Sequence, residues 1–321
     1  MTRLRLLADM KLIKNTVKEP VMIIKEQPSV FRLFFTMQGS IVPKIRGNIL
    51  SIALISIVVL VTDDILPLPH FSISAMGVFG IALSLFLGFR NNSAYDRWWE
   101  ARKLWGSMIA DIRTLGRDVR VFCPTEASRR PFMSMACAFA HFHRGHLRSL
   151  NAISEPASWI GDEKAQMMAA NSNSADAALR DMADQLEYQS KNDGITGFGL
   201  LRLSQTLASL SLAQAGCERI ANTPLPFVYS LLVRRTTYLY CWLLPFALID
   251  STNLFTPLFA AIVAYIFFGL QAVTNELEMP FESAQNGLPL NAMCRTIEIS
   301  VTEALGDPSP QPLLPVNYIL S

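Results

Sequence analysis

The chain has 321 residues, of which 51% are hydrophobic and 17% are charged, and its formal net charge is +2. Because soluble domains are about 25% charged, this composition argues against a disordered chain, a collagen and a nucleic-acid-binding protein. The five cysteines are dispersed without any Cys-x-x-Cys spacing, which argues against a disulfide framework and a cysteine zinc site.

Four segments without Asp, Glu, Lys or Arg predict membrane-spanning helices, which need about 20 mostly apolar residues. They are residues 48–62, 65–89, 236–249 and 251–275. The first and third are short, whereas the second and fourth are long and almost entirely apolar. A helix of a soluble protein normally keeps a polar face, so buried soluble helices are the less favoured interpretation of the two long segments.

The charges beside these segments predict their orientation. Residues 1–46 hold nine Lys or Arg and three acids, whereas the links between paired spans hold Asp63, Asp64 and Asp250 and no basic residue. Basic loops stay on the cytoplasmic side of a membrane. We therefore expect a multi-pass protein of the bacterial plasma (inner) membrane with both termini in the cytoplasm.

Outside the spans, the sequence predicts helices joined by polar loops and no β pattern of any length. Residues 75–121 lack proline, which predicts one helix of about 70 Å that leaves the membrane near Phe89. Further helices are expected at 130–150, 178–190 and 195–221, with a polar loop at 169–178 and an extended proline-rich tail at 306–321. The predicted fold is an all-α membrane protein with four transmembrane helices and a cytosolic helical bundle.

Five segments result in chain order. They are N-terminal cytosolic or interfacial helices at 1–46, transmembrane helices 1 and 2 at 47–89, a cytosolic helical domain at 90–225, transmembrane helices 3 and 4 at 226–275, and a cytosolic C-terminal segment at 276–321.

Residues 87–106, LGFRNNSAYDRWWEARKLWG, resemble the bestrophin family. The family pattern is Gly-Phe near the cytoplasmic end of the second span, followed after seven positions by Arg-Trp-Trp. The corresponding residues here are Gly88, Phe89, Arg97, Trp98 and Trp99. Segments 217–230, CERIANTPLPFVYS with Pro226, and 275–281, NELEMPF, resemble two more family motifs in the same order. The resemblance covers nearly the whole chain and is closest to the prokaryotic branch.

The resemblance implies a pentameric ion channel whose five second spans line one central pore. Ile81, Leu85 and Phe89 share one helix face at i, i+4 and i+8, and they match the three bulky apolar positions of the family's neck. Rings of such side chains cannot replace the water molecules around an ion. A pore with such a ring closes to ions when the ring loses its water. From the spacing alone, ordinary packing of a membrane helix is the simpler interpretation of this row.

Other residues take supporting roles in the same resemblance. Gly77, Gly80 and Gly88 would allow close approach of neighbouring helices. Arg97, Trp98 and Trp99 form an interfacial aromatic belt with one cation, a structural lock between subunits near the neck, or both.

The family also has a second constriction at the cytosolic mouth. Counting back from Cys217 assigns it to Leu201, with Ile195 and Phe198 as rivals.

One departure from the family changes the expected regulation. Animal bestrophins carry an acidic, calcium-holding run after Pro-Phe, whereas residues 282–287 here read ESAQNG and contain one carboxylate. Calcium sites need six to eight oxygen ligands, so no calcium gating is expected. Prokaryotic relatives are associated with monovalent cations such as sodium, which makes a cation channel the leading expectation and an anion (chloride) channel of the same fold the alternative.

Other classes of function are less favoured. A secondary transporter usually needs an ionisable group inside the membrane, and His70 is the sole candidate. The proline-rich tail is compatible with a third alternative, a scaffold or sensor that binds a partner protein. His141, His143 and His146 do not share one helix face, so we expect no metal site there. We also expect no cofactor and no enzymatic activity. The expected partners are identical copies in a pentamer, the lipid bilayer and monovalent ions, without nucleic acid.

Overall fold

The computed structural model describes residues 22–24, 31, 39–192, 194–282, 286–316 and 318–320. Most of the helical prediction for residues 1–46 therefore lies outside the described residues. The chain forms two compact units. The span unit comprises residues 25–101 and 219–280, and the bundle unit comprises residues 1–24, 102–218 and 281–321.

The described part of the chain is built from helices and one very short pair of strands. In chain order these elements are β1 (Met22–Ile23), α1 (Val42–Ile65), α2 (Ile73–Phe122), α3 (Glu126–Leu147), α4 (Ser154–Ile160), α5 (Asp162–Ala169), α6 (Ser174–Lys191), α7 (Gly197–Asn222), α8 (Phe227–Thr252), a 3-10 turn (Asn253–Phe255), α9 (Thr256–Leu277), α10 (Leu290–Leu305) and β2 (Ile319–Leu320). The predicted long helix at 75–121 is confirmed by α2, which has 50 residues.

The beginning of the second apolar helix differs from its prediction. Residues 65–89 were expected to form one span, but α1 continues to Ile65 and α2 starts only at Ile73. The intervening loop contains Pro67 and Pro69. Proline lacks a backbone N–H and disfavours helical conformation in the residue before it, so the hydrophobic run is divided by its prolines.

Within the described part of the chain, three helical stretches are long and apolar enough to cross a membrane: Val42–Ile65, Ile73–Phe122 and Phe227–Leu277. The last stretch folds back on itself at the 3-10 turn. The rings of Tyr238 and Phe268 lie 4.9 Å apart, and those of Tyr240 and Phe267 lie 5.2 Å apart. Because each pair is placed symmetrically about the turn, α8 and α9 form an antiparallel hairpin.

The span unit has an apolar interior and an apolar exterior. Residues of α1, α2, α8 and α9 pack into one core, which includes Ile52, Leu83, Cys241 and Phe268. Large apolar side chains also cover much of the outer surface of these helices. Helices that are hydrophobic on all sides are typical of a membrane environment.

The bundle unit has its apolar side chains mainly inside. Helix α3 contacts α4, α6 and α10, and it buries Phe132, Phe139 and Phe142. Each of the predicted helices at 130–150, 178–190 and 195–221 is confirmed with shifted ends. The loop predicted at 169–178 is shorter, because the Asn173 side chain accepts a hydrogen bond from the Asp176 amide and begins α6 earlier.

The two short strands join distant parts of the chain. Met22 pairs with Leu320 and Ile23 pairs with Ile319 in antiparallel register. The sequence did not predict this pair, since two residues are too few to show an alternating pattern.

Candidate functional site

A row of apolar side chains lies on the outer face of α2. Ile81, Leu85 and Phe89 are 73%, 56% and 55% exposed in the single chain. On the opposite face Leu83 and Leu87 are fully buried in the core of the span unit. Helix α2 therefore packs mainly through that face, and its predicted neck residues keep more than half of their surface exposed in the single chain.

The same outer face carries no charge over several helical turns. Extending the row by helical spacing gives Ser74 and Val78 before it and Asn92 after it, and all three are exposed. The first ionisable residue on this face of the span unit is Asp96, which is also exposed. Asp96 follows Phe89 by seven residues, or about 10 Å of helix.

A buried ion pair holds α2 immediately after the row. Arg90 is 3% exposed, and its Nη2 donates to Glu278 Oε2 and to Asn275 Oδ1, both at 2.9 Å. Nearby, Lys44 Nζ lies 2.5 Å from Glu276 Oε1. Buried charges need such partners, because an unpaired charge is costly to remove from water.

Arg97 of the Arg-Trp-Trp motif connects three segments of the span unit. Its Nε donates to the Glu278 carbonyl at 2.8 Å, and its two terminal nitrogens donate to the carbonyls of Ile220 and Thr223. These hydrogen bonds lie within one chain, and the lock expected between subunits stays a prediction. Because Glu278 accepts from Arg90 through its side chain and from Arg97 through its backbone, it ties the end of α9 to α2.

The pairing of Arg90 with Glu278 was not predicted from the sequence. The available signal was a pair of carboxylates, Glu276 and Glu278, in a segment without basic residues. Their partners, Arg90 and Lys44, are on α2 and in the first turn of α1, so only the tertiary fold shows the pairing.

The other motif residues lie on α2 and at the start of α8. Trp98 stacks on Trp99 with ring centres 6.4 Å apart, and Trp99 is half exposed. Pro226 precedes the first residue of α8, where its fixed φ suits a helix start.

The glycines of α2 differ in their surroundings. A side chain at Gly80 would meet the Tyr240 hydroxyl of α8, so Gly80 does permit close helix packing. Gly77 and Gly88 have open space around them within the described part of the chain.

Residues proposed for the cytosolic constriction lie in and just before α7 of the bundle unit. Leu201 and Phe198 are exposed, whereas Ile195 is buried against Gly199. Leu201 and Phe198 therefore remain available to face a pathway, and Ile195 serves internal packing.

The three clustered histidines have three different environments. His141 Nε2 lies 2.8 Å from Glu298 Oε1, His143 is stacked between aromatic rings, and His146 is partly exposed. Among the described residues no group of three or more His, Cys, Asp or Glu is arranged to hold a metal ion. The expectation about calcium concerns residues 282–287, of which 283–285 lie outside the described residues.

Comparisons with known proteins agree on one family. Residues 22–303 match the sequence profile of a family described as bacterial/fungal bestrophin protein. A Mesorhizobium japonicum protein named voltage-dependent anion channel-forming protein mll4386 is 45% identical over 306 residues, which cover 95% of this chain and 99% of that protein. The Escherichia coli K12 protein named voltage-dependent anion channel-forming protein YneE is 37% identical over 289 residues, covering 88% and 93% respectively.

Solved structures give the same result. A crystal structure of a bacterial bestrophin homologue from Klebsiella pneumoniae matches with a TM-score of 0.79 at 32% sequence identity. The match covers 82% of this chain and 99% of the Klebsiella chain.

Proposed function

This chain belongs to the bacterial and fungal bestrophin family, and we propose that it forms an ion channel from identical copies arranged around a central pore. The observation that supports the proposal is the outer face of α2. That face is uncharged from Ser74 to Asn92 and apolar from Val78 to Phe89, and it is exposed on a helix whose opposite face is buried at Leu83 and Leu87. A closed ring of copies would place these faces around one axis.

The proposed neck consists of rings formed by Ile81, Leu85 and Phe89. Side chains of this kind cannot replace the water around an ion, so a narrow ring blocks conduction when it loses its water. The proposed ring has five copies, a number taken from the family resemblance. A second narrow point is proposed at Leu201, with Phe198 as the rival residue.

Four membrane crossings are proposed, made by α1, the first part of α2, α8 and α9. Helices α8 and α9 have 26 and 22 residues, or about 39 and 33 Å, enough to cross a hydrocarbon core of about 30 Å. An even number of crossings leaves both termini on the same side, which the basic N-terminal region favours as the cytoplasm of a bacterial inner membrane.

We propose small monovalent anions as the conducted ions. The curated relatives are named anion channel-forming proteins, and these names favour anions over the sodium expected from the sequence. Cations remain the second candidate because Asp96 is the first exposed charge after the proposed neck on the same face of α2. Neither candidate needs calcium, a cofactor or a catalytic residue.

Substitution of the row tests the neck. Replacing Ile81, Leu85 and Phe89 together by Ala should raise single-channel conductance severalfold, because smaller side chains widen the apolar ring. A matched control replaces Leu50, Leu54 and Val58 of α1 by Ala, since these residues have the same spacing and are 61%, 62% and 63% exposed. Unchanged currents in the α2 variant, or an equal rise in the α1 control, would contradict the neck.

Two further measurements test the assembly and the ion. Native mass spectrometry should give five times the chain mass of 35.7 kDa. In a planar bilayer under a sodium chloride gradient, the proposal predicts a reversal potential near the chloride equilibrium value. A potential near the sodium value that shifts in the Asp96→Asn variant would favour the cation candidate.

A further inference from the structure

His70 lies between two carboxylates in the span unit. Its Nε2 is 2.9 Å from Asp63 Oδ1, and its Nδ1 is 2.8 Å from Asp250 Oδ1. Both distances are within the range of a hydrogen bond. Each nitrogen of the ring thus has its own carboxylate, so the contact is not a single surface ion pair.

The three residues come from separate parts of the chain. Asp63 is near the end of α1, His70 is in the loop before α2, and Asp250 is near the end of α8. A second contact joins the same loop to α8, since the Phe71 amide donates to the Phe246 carbonyl at 3.2 Å and the two rings are 6.1 Å apart. The second contact contains no titratable group.

The hydrogen bonds determine the protonation state of His70. Asp63 Oδ1 also accepts the Leu68 amide at 2.9 Å, so this oxygen acts as an acceptor and the ring must donate to it. Asp250 Oδ1 faces the other ring nitrogen at 2.8 Å, and the oxygens of a carboxylate accept hydrogen bonds. A neutral imidazole has only one N–H, so donation to both carboxylates requires the doubly protonated, positively charged ring.

We propose that His70 is a proton-binding site whose protonated ring clasps the α1–α2 loop to the end of α8, and that loss of this proton opens the clasp. Protonated, the ring donates two charge-assisted hydrogen bonds. Deprotonated, it keeps one N–H and must give up one of the two carboxylates. Asp250 is the carboxylate released, because its side chain is 62% exposed, whereas Asp63 is 20% exposed and also accepts the Leu68 amide. The contact between Phe71 and Phe246 then still joins the α1–α2 loop to α8.

The surrounding charges favour a proton over other cations. Besides Asp63 and Asp250, the neighbouring ionisable group is the exposed Asp64, and no Lys or Arg occurs in residues 47–89 or 236–294. A metal ion bound by the ring and both carboxylates would need them on one side of the ring. The two ring nitrogens point in different directions, so the carboxylates they contact cannot share one ion with the ring.

The contacts with the two carboxylates also raise the pKa of His70, which favours the protonated ring. The hydrogen bond that His70 donates to Asp63 raises the pKa of His70 above its ordinary value of 6.5, partial burial opposes this, and the charge of Asp250 raises it further. For a raised folded-state pKa, the stabilisation is complete below the unfolded-state value and disappears as the pH rises through the folded-state value.

Titration of the ring by NMR tests the protonation step. The chain has four histidines, so isotopic labelling of histidine in the detergent-solubilised full chain gives four signals, and the His70→Gln variant identifies one of them. His70 should titrate with a midpoint above 6.5, and both Asp63→Asn and Asp250→Asn should lower it. Asp64→Asn is the control and should leave the midpoint nearly unchanged. A midpoint at or below 6.5, or no response to Asp250→Asn, would overturn the proposal.

Thermal unfolding tests the coupling between the proton and the clasp. The wild-type Tm should fall between pH 6 and pH 8.5 by more than that of His70→Gln, whose side-chain amide does not titrate. Asp250→Asn should reduce the fall as well, and because Asp250 is exposed this variant is expected to fold. Equal dependence of the Tm on pH in wild type and His70→Gln would show that the proton does not hold the two segments together.

Discussion

The span unit and the bundle unit distribute apolar and charged side chains in opposite ways. In the span unit, large apolar side chains such as Ile81 and Leu54 are exposed, while Arg90 and Glu276 are buried and paired. In the bundle unit, Phe132 and Phe139 are buried and most charged side chains are at the surface. The surface of the span unit therefore suits lipid and that of the bundle unit suits water, because apolar surface is stable in lipid and unfavourable in water.

The two units also differ in the environments of their histidines. His70 in the span unit contacts two carboxylates, which raise its pKa. His143 in the bundle unit is fully buried between the rings of Trp105 and Phe139, and neither of its nitrogens meets a hydrogen-bond partner among the described residues. Burial lowers the pKa of His143 to about 3. The same residue type therefore stabilises one unit when it is charged and the other when it is neutral.

The largest effect is expected at the buried ion pair of the span unit. Arg90→Met leaves Glu278 buried without its charged donor, which should lower the free energy of unfolding by about 3–5 kcal/mol. Adding Glu278→Leu removes the orphaned carboxylate and should restore most of the loss. Denaturant unfolding in detergent micelles measures both variants. A loss in Arg90→Met no greater than in an exposed pair would contradict the importance of pairing in this unit.

A smaller effect is expected from His143 in the bundle unit. Its pKa is lower in the folded state than the unfolded value of about 6.5, so the unfolded state binds more protons as the pH falls. This difference should remove about 2 kcal/mol of stability between pH 7 and pH 5. His143→Phe should abolish that part of the pH dependence, as measured by unfolding at the two pH values.

Phe142→Leu is the control for His143. This residue is also buried in α3, but it carries no titratable group, so its loss of stability should be the same at both pH values. An unchanged pH dependence in His143→Phe would show that the buried ring is not the acid-sensitive group.

A third effect concerns helix packing in the span unit. Gly80→Ala would bring a new Cβ to 2.7 Å from the Tyr240 hydroxyl oxygen. The expected cost is about 1 kcal/mol, at the low end of over-packing effects, because the far end of the tyrosine is the nearest atom. Gly77→Ala is the matched control, since nothing lies within 4 Å of its new Cβ and Ala favours helix over Gly. Equal Tm values for the two variants would contradict close packing at Gly80.

The smallest effect is expected at an exposed ion pair of the bundle unit. Lys191 and Glu187 lie 2.6 Å apart on α6, with both side chains largely exposed. Lys191→Met should leave the free energy of unfolding almost unchanged, because an ion pair between exposed side chains contributes little. High salt should make the variant and the wild type indistinguishable, because solvent ions screen an exposed pair. A loss comparable with that of Arg90→Met would remove the distinction between buried and exposed pairs.

Local signals in the sequence were sufficient for most of the helices. The absence of proline in residues 75–121 predicted α2, and helical spacing placed Ile81, Leu85 and Phe89 on one face. The error at the start of the second span came from giving hydrophobicity more weight than Pro67 and Pro69. The early start of α6 came from Asn173, a capping residue within a segment that otherwise looked like a loop.

Hydrophobic length, helical spacing and the Arg-Trp-Trp segment are local properties of the chain, and they were sufficient to predict a helical membrane protein of the bestrophin family. The pairing of side chains depends on the tertiary fold. Arg90 and Glu278 are 188 residues apart, and His70 and Asp250 are 180 apart. Such contacts depend on the packing of distant helices, and local periodicity carries no information about which distant residue will meet a buried charge.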